Sequence, residues 1–193
     1  MGLYVSKLKL YNWKNFRDCE LDLQKRCFII GANAAGKSNL LDAIRFLRDI
    51  AKDGGGLQSA VEQRGGIKKI RCLAARKRTD VFIETELRNI DDDRLCWIYS
   101  LKIQNSGGGV VKQQPVILEE KVYSAVDDKL VLNRTDKTIG EDNETLKYTH
   151  LEQATANKEF RQIKETFEVV EYLNVIPQLV RESGSISYSS KKE

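Results

Sequence analysis

The chain has 193 residues, 41% apolar and 31% charged, with two prolines. That is enough for one domain, or one lobe of a larger one, to bury a core without disulfides or metals, and it excludes a fibrous or disordered protein. A net charge of +4, from 32 basic and 28 acidic side chains, supplies no global field for nucleic acid, so DNA binding cannot be argued from charge.

Residues 3–10 alternate, with Leu8 and Leu10 on one face and Lys7 and Lys9 on the other, and residues 20–23 alternate again after a polar turn at Asn12 to Asp18. This predicts two paired strands. Cys27, Phe28, Ile29 and Ile30 form a continuous apolar run that predicts a central strand covered on both faces. From Ser38 onward, Leu40, Leu41, Ile44, Leu47 and Ala51 follow a helical period, with Asp42, Arg45, Arg48 and Lys52 opposite, and Gly54 to Gly56 stop the helix.

A variable region then carries the basic residues Lys68, Lys69, Arg71, Arg76, Lys77 and Arg78, read as a solvated strand edge and loop. Beyond it, "DVFIETEL" and "RLCWIYSLKI" flank a turn at Asp91 to Asp93, and further strands are expected at 115–123 and 129–134, making an antiparallel meander. Helical spacing returns over 151–173, "VIPQLV" reads as extended, and 183–193 reads as a linker or truncated end after a lobe spanning 1–182. Cys19, Cys27, Cys72 and Cys96 show no metal-ligand spacing and are expected to be buried free thiols. No apolar run reaches the length of a membrane span and no signal-peptide core is present, so a cytoplasmic protein is expected.

The chemistry concentrates in "GANAAGKS", Gly31 to Ser38, which satisfies G-x-x-x-x-G-K-[ST] between a predicted strand and an amphipathic helix, the context that makes the motif a phosphate loop. Gly31 and Gly36 let the backbone turn its N–H groups inward as an anion nest, and the helix N-terminus adds unpaired donors and the positive end of its dipole. Lys37 is expected to reach the β and γ phosphates of a nucleoside triphosphate, and the Ser38 hydroxyl to ligate Mg²⁺.

"NWKNF" followed by "FIIGANAAGKSNLLDAIRFL" resembles the N-terminal segment of SMC/RecF/Rad50-like ATPases, and Asn33 with the run Ser38 to Ile44 matches that branch. "NKEFRQIKETFEVVEYLNVIPQLVRE" is similar to the AAA_21 group of ABC-type ATPases, which includes relatives in phage defence; the middle of the chain is generic antiparallel β. The resemblance implies an α/β P-loop NTPase of ABC-ATPase type, an N-terminal lobe with an attached antiparallel sheet. It implies ATP and Mg²⁺ as cofactors, held by Gly31, Asn33, Ala34, Ala35, Gly36, Lys37, Ser38 and Asn39, with Lys14 and Asn15 approaching the phosphates from the first strand turn. Ala34 departs from the glycine usual there; it has either an ordinary φ or a strained loop.

A Walker B strand ending in Asp-Glu and a signature loop are not found. "VFIETE" reads as an ordinary alternating strand and "NSGGGV" as a hairpin turn, so the catalytic carboxylate is unknown. Gln178 is the best placed residue for a Mg²⁺-sensing glutamine, and His150 reads as a surface or capping residue. The expected parent is an ATPase of DNA repair or anti-phage defence whose hydrolysis needs a missing C-terminal half, closing as a homodimer and acting on DNA or an effector protein. The alternative is a non-hydrolysing nucleotide sensor or scaffold.

Overall fold

In the computed structural model, residues 2–75, 79–106, 114–135 and 144–173 are described. Six antiparallel strands, β1 (Leu3–Trp13), β2 (Phe16–Asp22), β3 (Val81–Asn89), β4 (Leu95–Asn105), β5 (Pro115–Ser124) and β6 (Lys129–Thr135), form one sheet in the order β2-β1-β3-β4-β5-β6. The helices are α1 (Lys37–Ala51), α2 (Leu57–Glu62), α3 (Ile67–Ile70) and α4 (Arg161–Glu168). Both expected hairpin systems form, with Leu10 opposite Cys19 across β1 and β2, and Ile83 opposite Leu101 across β3 and β4. None of the described helices is long and apolar enough to cross a membrane.

Strand alternation produces the core. Leu8 and Leu10 of β1, Val81, Ile83 and Leu87 of β3, and Leu101 and Ile103 of β4 are buried, while Lys9 and Glu84 pair at 3.0 Å on the opposite side. The buried set is completed by Leu40, Ala43, Phe46, Leu47 and Ile50 of α1, with Ile163 and Phe167 of α4. Each large apolar side chain buried there is worth about 1.5–3 kcal/mol. Trp13, at the end of β1, meets Phe46 of α1 with ring centroids 5.3 Å apart, and its Nε1 donates to the Asn39 carbonyl at 2.8 Å. That contact joins the sheet to the first turns of α1.

Two buried carboxylates tie connections to this frame. Glu120 of β5 is fully buried and accepts from Arg134 at 2.7 Å, Tyr99 at 3.1 Å, and the backbone N–H groups of His150 at 2.8 Å and Leu151 at 3.2 Å. Asp49 of α1 pairs with Arg48 at 2.7 Å and Arg64 at 3.0 Å. Burial opposes the charge on Asp49, and the two guanidiniums outweigh it, holding its carboxyl below the usual range.

Four expectations need correction. Cys27 to Ile30 form no strand: Phe28 is 81% and Ile30 93% exposed, because no described strand lies beside them to cover either face. The helix expected over 151–173 is confined to Arg161–Glu168 after a 3-10 turn at Lys158–Phe160. Side-chain bonds compete for the upstream backbone: Glu152 accepts from the Thr149 and Leu57 N–H groups, and Asn157 donates to the Leu151 carbonyl. Cys72 and Cys96 are buried, but Cys19 is only partly covered and Cys27 is exposed. Lys68 and Lys69 lie on α3 rather than on a strand edge. Arg76, Lys77 and Arg78, the segment "VIPQLV" and the stretch 183–193 lie outside the described residues.

His150 generates a pH prediction. Burial, with Arg134 nearby as the second cause, pushes its imidazole from 6.5 down to about 4. Between those values the unfolded chain binds a proton that the folded chain refuses, so this contribution to stability is full above pH 6.5 and is lost as the pH falls toward about 4. Urea denaturation at pH 7.5 and 5 is expected to show less stability at pH 5, with the difference reduced in His150→Gln; an unchanged difference would place the loss elsewhere.

Candidate phosphate-binding site

Gly31 to Ala35 are exposed and Gly36 is buried at the start of α1. A turn closed by Ala35 N–H to the Ala32 carbonyl at 3.2 Å carries the chain across the loop, with Ala34 at φ 64° and Gly36 at φ 101°. The left-handed conformation at Ala34 answers the alternative left open by the sequence: the loop is strained there, as a Cβ in that region disfavours it by about 1–2 kcal/mol.

Among the described residues no side chain caps α1, and its first turn contains no acidic residue. Its leading N–H groups are therefore directed at the loop, with the positive end of the helix dipole behind them. The Lys37 ammonium folds over the loop and donates to the carbonyls of Gly31 at 2.7 Å and Ala32 at 2.8 Å. An anion entering the nest would draw this ammonium from neutral acceptors to a charged one, the stronger partner. Ser38 and Asn33 are both exposed.

Lys14 and Asn15 form the two-residue connection between Trp13 and Phe16, with Lys14 at φ 51°. The backbone around the turn is pinned by Lys14 N–H to the Ile70 carbonyl, and by Asn12, whose side chain donates to the Asp80 carbonyl at 2.6 Å and accepts from the Cys72 N–H at 3.0 Å. Asn15 accepts from Asn39 Nδ2 at 2.9 Å and lies against Gly36, where an added Cβ would stand 2.3 Å from its Nδ2. Gly36 thus serves two constraints, a positive φ and a close approach.

The structure brings Lys14, Asn15, Ser38 and Asn39 together at the loop, whereas Gln178 lies outside the described residues. Glu84 is engaged by Lys9; of the segment "NSGGGV", Gly107 to Val110 lie outside the described residues, and the Ser106 N–H bonds the Gln114 carbonyl at 2.8 Å. Sequence reasoning missed Asp42 and Arg64, which share an open pocket of about 340 Å³ with Lys14 and Ser38. Asp42 was legible, since it follows Ser38 by four residues and so shares its helix face. Arg64 carried no local signal.

A family model described as "AAA domain, putative AbiEii toxin, Type IV TA system" matches residues 27–166, and one described as "P-loop containing region of AAA domain" matches residues 5–47. The DNA replication and repair protein RecF of Synechococcus sp. (strain JA-3-3Ab) is 28% identical over 134 residues, which covers 67% of this chain and 33% of that protein. RecF of Crocosphaera subtropica is 41% identical over 46 residues, 23% of this chain and 12% of that protein. The chain thus spans about a third or less of the curated relatives it matches. A solved structure titled "Structure of the recombination mediator protein RecF-ATPrS in RecFOR pathway" aligns with a TM-score of 0.37 and 20% identity over 60% of this chain and 26% of that one.

Relief of the backbone strain at position 34 is measurable. Ala34→Gly removes the Cβ penalty at the cost of a more flexible unfolded chain, for a net gain of about 0.5–1 kcal/mol in urea denaturation. A loss of stability would show that Ala34 makes a compensating contact in solution.

Proposed function

The chain belongs to this AAA-domain family and carries the phosphate loop of SMC/RecF/Rad50-like ATPases; from that premise we propose that it is the ATP-binding N-terminal lobe of such an ATPase. The observation that carries the reading is the loop itself: exposed backbone, an uncapped α1 and the Lys37 ammonium poised across it, all at one end of one helix. Gly31, Asn33, Ala34, Ala35 and Gly36 supply the cradle, Lys37 the charge on the β and γ phosphates, and Asn39 and Asn15 the polar rim. The exposed Ser38 hydroxyl fits the Mg²⁺ that accompanies a triphosphate. Mg²⁺ supplies charge neutralisation on the phosphate oxygens.

Hydrolysis requires a carboxylate to complete the metal shell and orient water, together with a signature loop from a second subunit. We assign these to a C-terminal half of the same protein, with Gln178 as the glutamine that reads the metal. The exposed run Phe28 to Ile30 supports this assignment, since an apolar segment of that kind is suited to pairing with a covering strand. The parent would close as an ATP-dependent homodimer in the cytoplasm and act on DNA in repair, the role named for its RecF relatives, or on a defence effector.

Lys37→Ala removes a charge-assisted contact worth about 1.5–3 kcal/mol and is expected to weaken ATP binding, measured by calorimetry with Mg²⁺, at least about tenfold. Unchanged affinity would refute the site.

The 193-residue chain alone is expected to bind ATP without releasing phosphate above background and without dimerising on a non-hydrolysable analogue. Phosphate release abolished by Lys37→Ala, or analogue-dependent dimerisation in sedimentation, would place the catalytic or gripping groups within these residues.

A further inference from the structure

In the pocket beside the phosphate loop, which Arg45 also lines, the Asp42 carboxylate has two cationic partners of very different standing. Asp42 follows Ser38 by one helical turn, about 6 Å along the axis of α1, so both face the same opening. Arg64 is committed on several sides. Its Nε donates to both Asp42 oxygens at 3.2 and 3.1 Å, its Nη1 lies 3.0 Å from Asp49 and donates to the Ala60 carbonyl at 2.8 Å, and its guanidinium lies over the Phe46 ring at 5.1 Å. Its side chain is only 6% exposed.

Lys14 is held loosely. Its ammonium lies 3.5 Å from Asp42 Oδ2, beyond ordinary hydrogen-bond length, on a side chain that is 22% exposed. Only the flexible stem separates it from the phosphate side, because its backbone is fixed in the two-residue turn whose neighbour Asn15 already touches Gly36. An Arg64-clamped carboxylate therefore fixes the resting place of the Lys14 ammonium in the pocket that Ser38 also lines.

Resting on the reading of the loop as a nucleoside triphosphate site, we infer that Asp42 is a specificity-determining latch: it parks Lys14 beside the loop and yields it to the terminal phosphate of a triphosphate. A terminal phosphate carries more negative charge than one carboxylate already shared with Arg64, so the exchange favours the nucleotide. A diphosphate ends one phosphate short and leaves Lys14 on Asp42. The latch sets a threshold that triphosphate passes and diphosphate does not.

The test is a double-mutant cycle on the 193-residue chain, with Mg²⁺ and either ATP or ADP as ligand. Asp42→Asn keeps an acceptor for Arg64 while removing the charge that parks Lys14; it should tighten ATP roughly two- to fivefold, the scale of a weak exposed ion pair, and change ADP less. In a Lys14→Ala background, which itself weakens ATP, that gain should disappear. Weaker ATP binding by Asp42→Asn, or an equal change in both backgrounds, overturns the latch. If Lys37→Ala abolishes ATP binding while Lys14→Ala leaves it unchanged, the latch fails and the phosphate site stands; if Lys37→Ala changes nothing, the site itself is refuted. The ¹⁵Nζ signal of Lys14 in the unaltered chain gives a readout independent of how the variants fold: it should shift on adding ATP with Mg²⁺ and not on adding ADP, and an equal response to both overturns the latch.

Discussion

The close approach of Asn15 to Gly36 is the contact on which the geometry of this molecule turns. The phosphate loop and the antiparallel sheet come from different parts of the chain, and they are locked where the β1–β2 turn presses on the first residue before α1. Any side chain at position 36 would drive Asn15 away and would also have to adopt a positive φ. Trp13 adds to the lock by bonding the Asn39 carbonyl and packing on Phe46, so the first turns of α1 are fastened to the sheet. A phosphate cradle benefits from that support, because donors that are already oriented need not be reorganised when the anion arrives.

Charge is distributed between two regimes. Glu120 and Asp49 are buried with their cations and bonded on several sides, so truncating a partner would strand a charge in the interior. These groups hold the connections: Glu120 seats residues 150–151 on the sheet, and Asp49 with Arg64 fastens α1 to the chain just after α2. At the loop the ammonium groups are held by neutral carbonyls or by a long ion pair. The interior fixes position and the surface leaves cations available, which is the division an anion site needs.

The exposed run Phe28 to Ile30 shows how composition can be read correctly and placed wrongly. Continuous apolar character rightly marks a segment suited to cover on both faces. Cover is a property of neighbours, and no described strand lies against it, so a segment with core composition stands in solvent. The truncated helix near 151–173 teaches a related lesson: Glu152 and Asn157 satisfy backbone groups locally and from distant segments, and a period counted on apolar residues does not register such competition.

Within the sequence itself, the alternation in β1, β3 and β4 determined which side chains face the core, because strand geometry sends successive residues to opposite faces. The residues Gly31 to Ser38 likewise determined a phosphate loop, since glycines, a lysine and a hydroxyl at that spacing before an amphipathic helix leave few other arrangements. What tertiary structure decided was long-range: that Ala34 sits at positive φ, that Asn15 rests on Gly36, and that Arg64 reaches Asp42 and Asp49 from outside α1. Local propensity is carried by neighbours along the chain, whereas a charge partner 22 residues away, as Arg64 is from Asp42, is selected only when packing brings the two segments together.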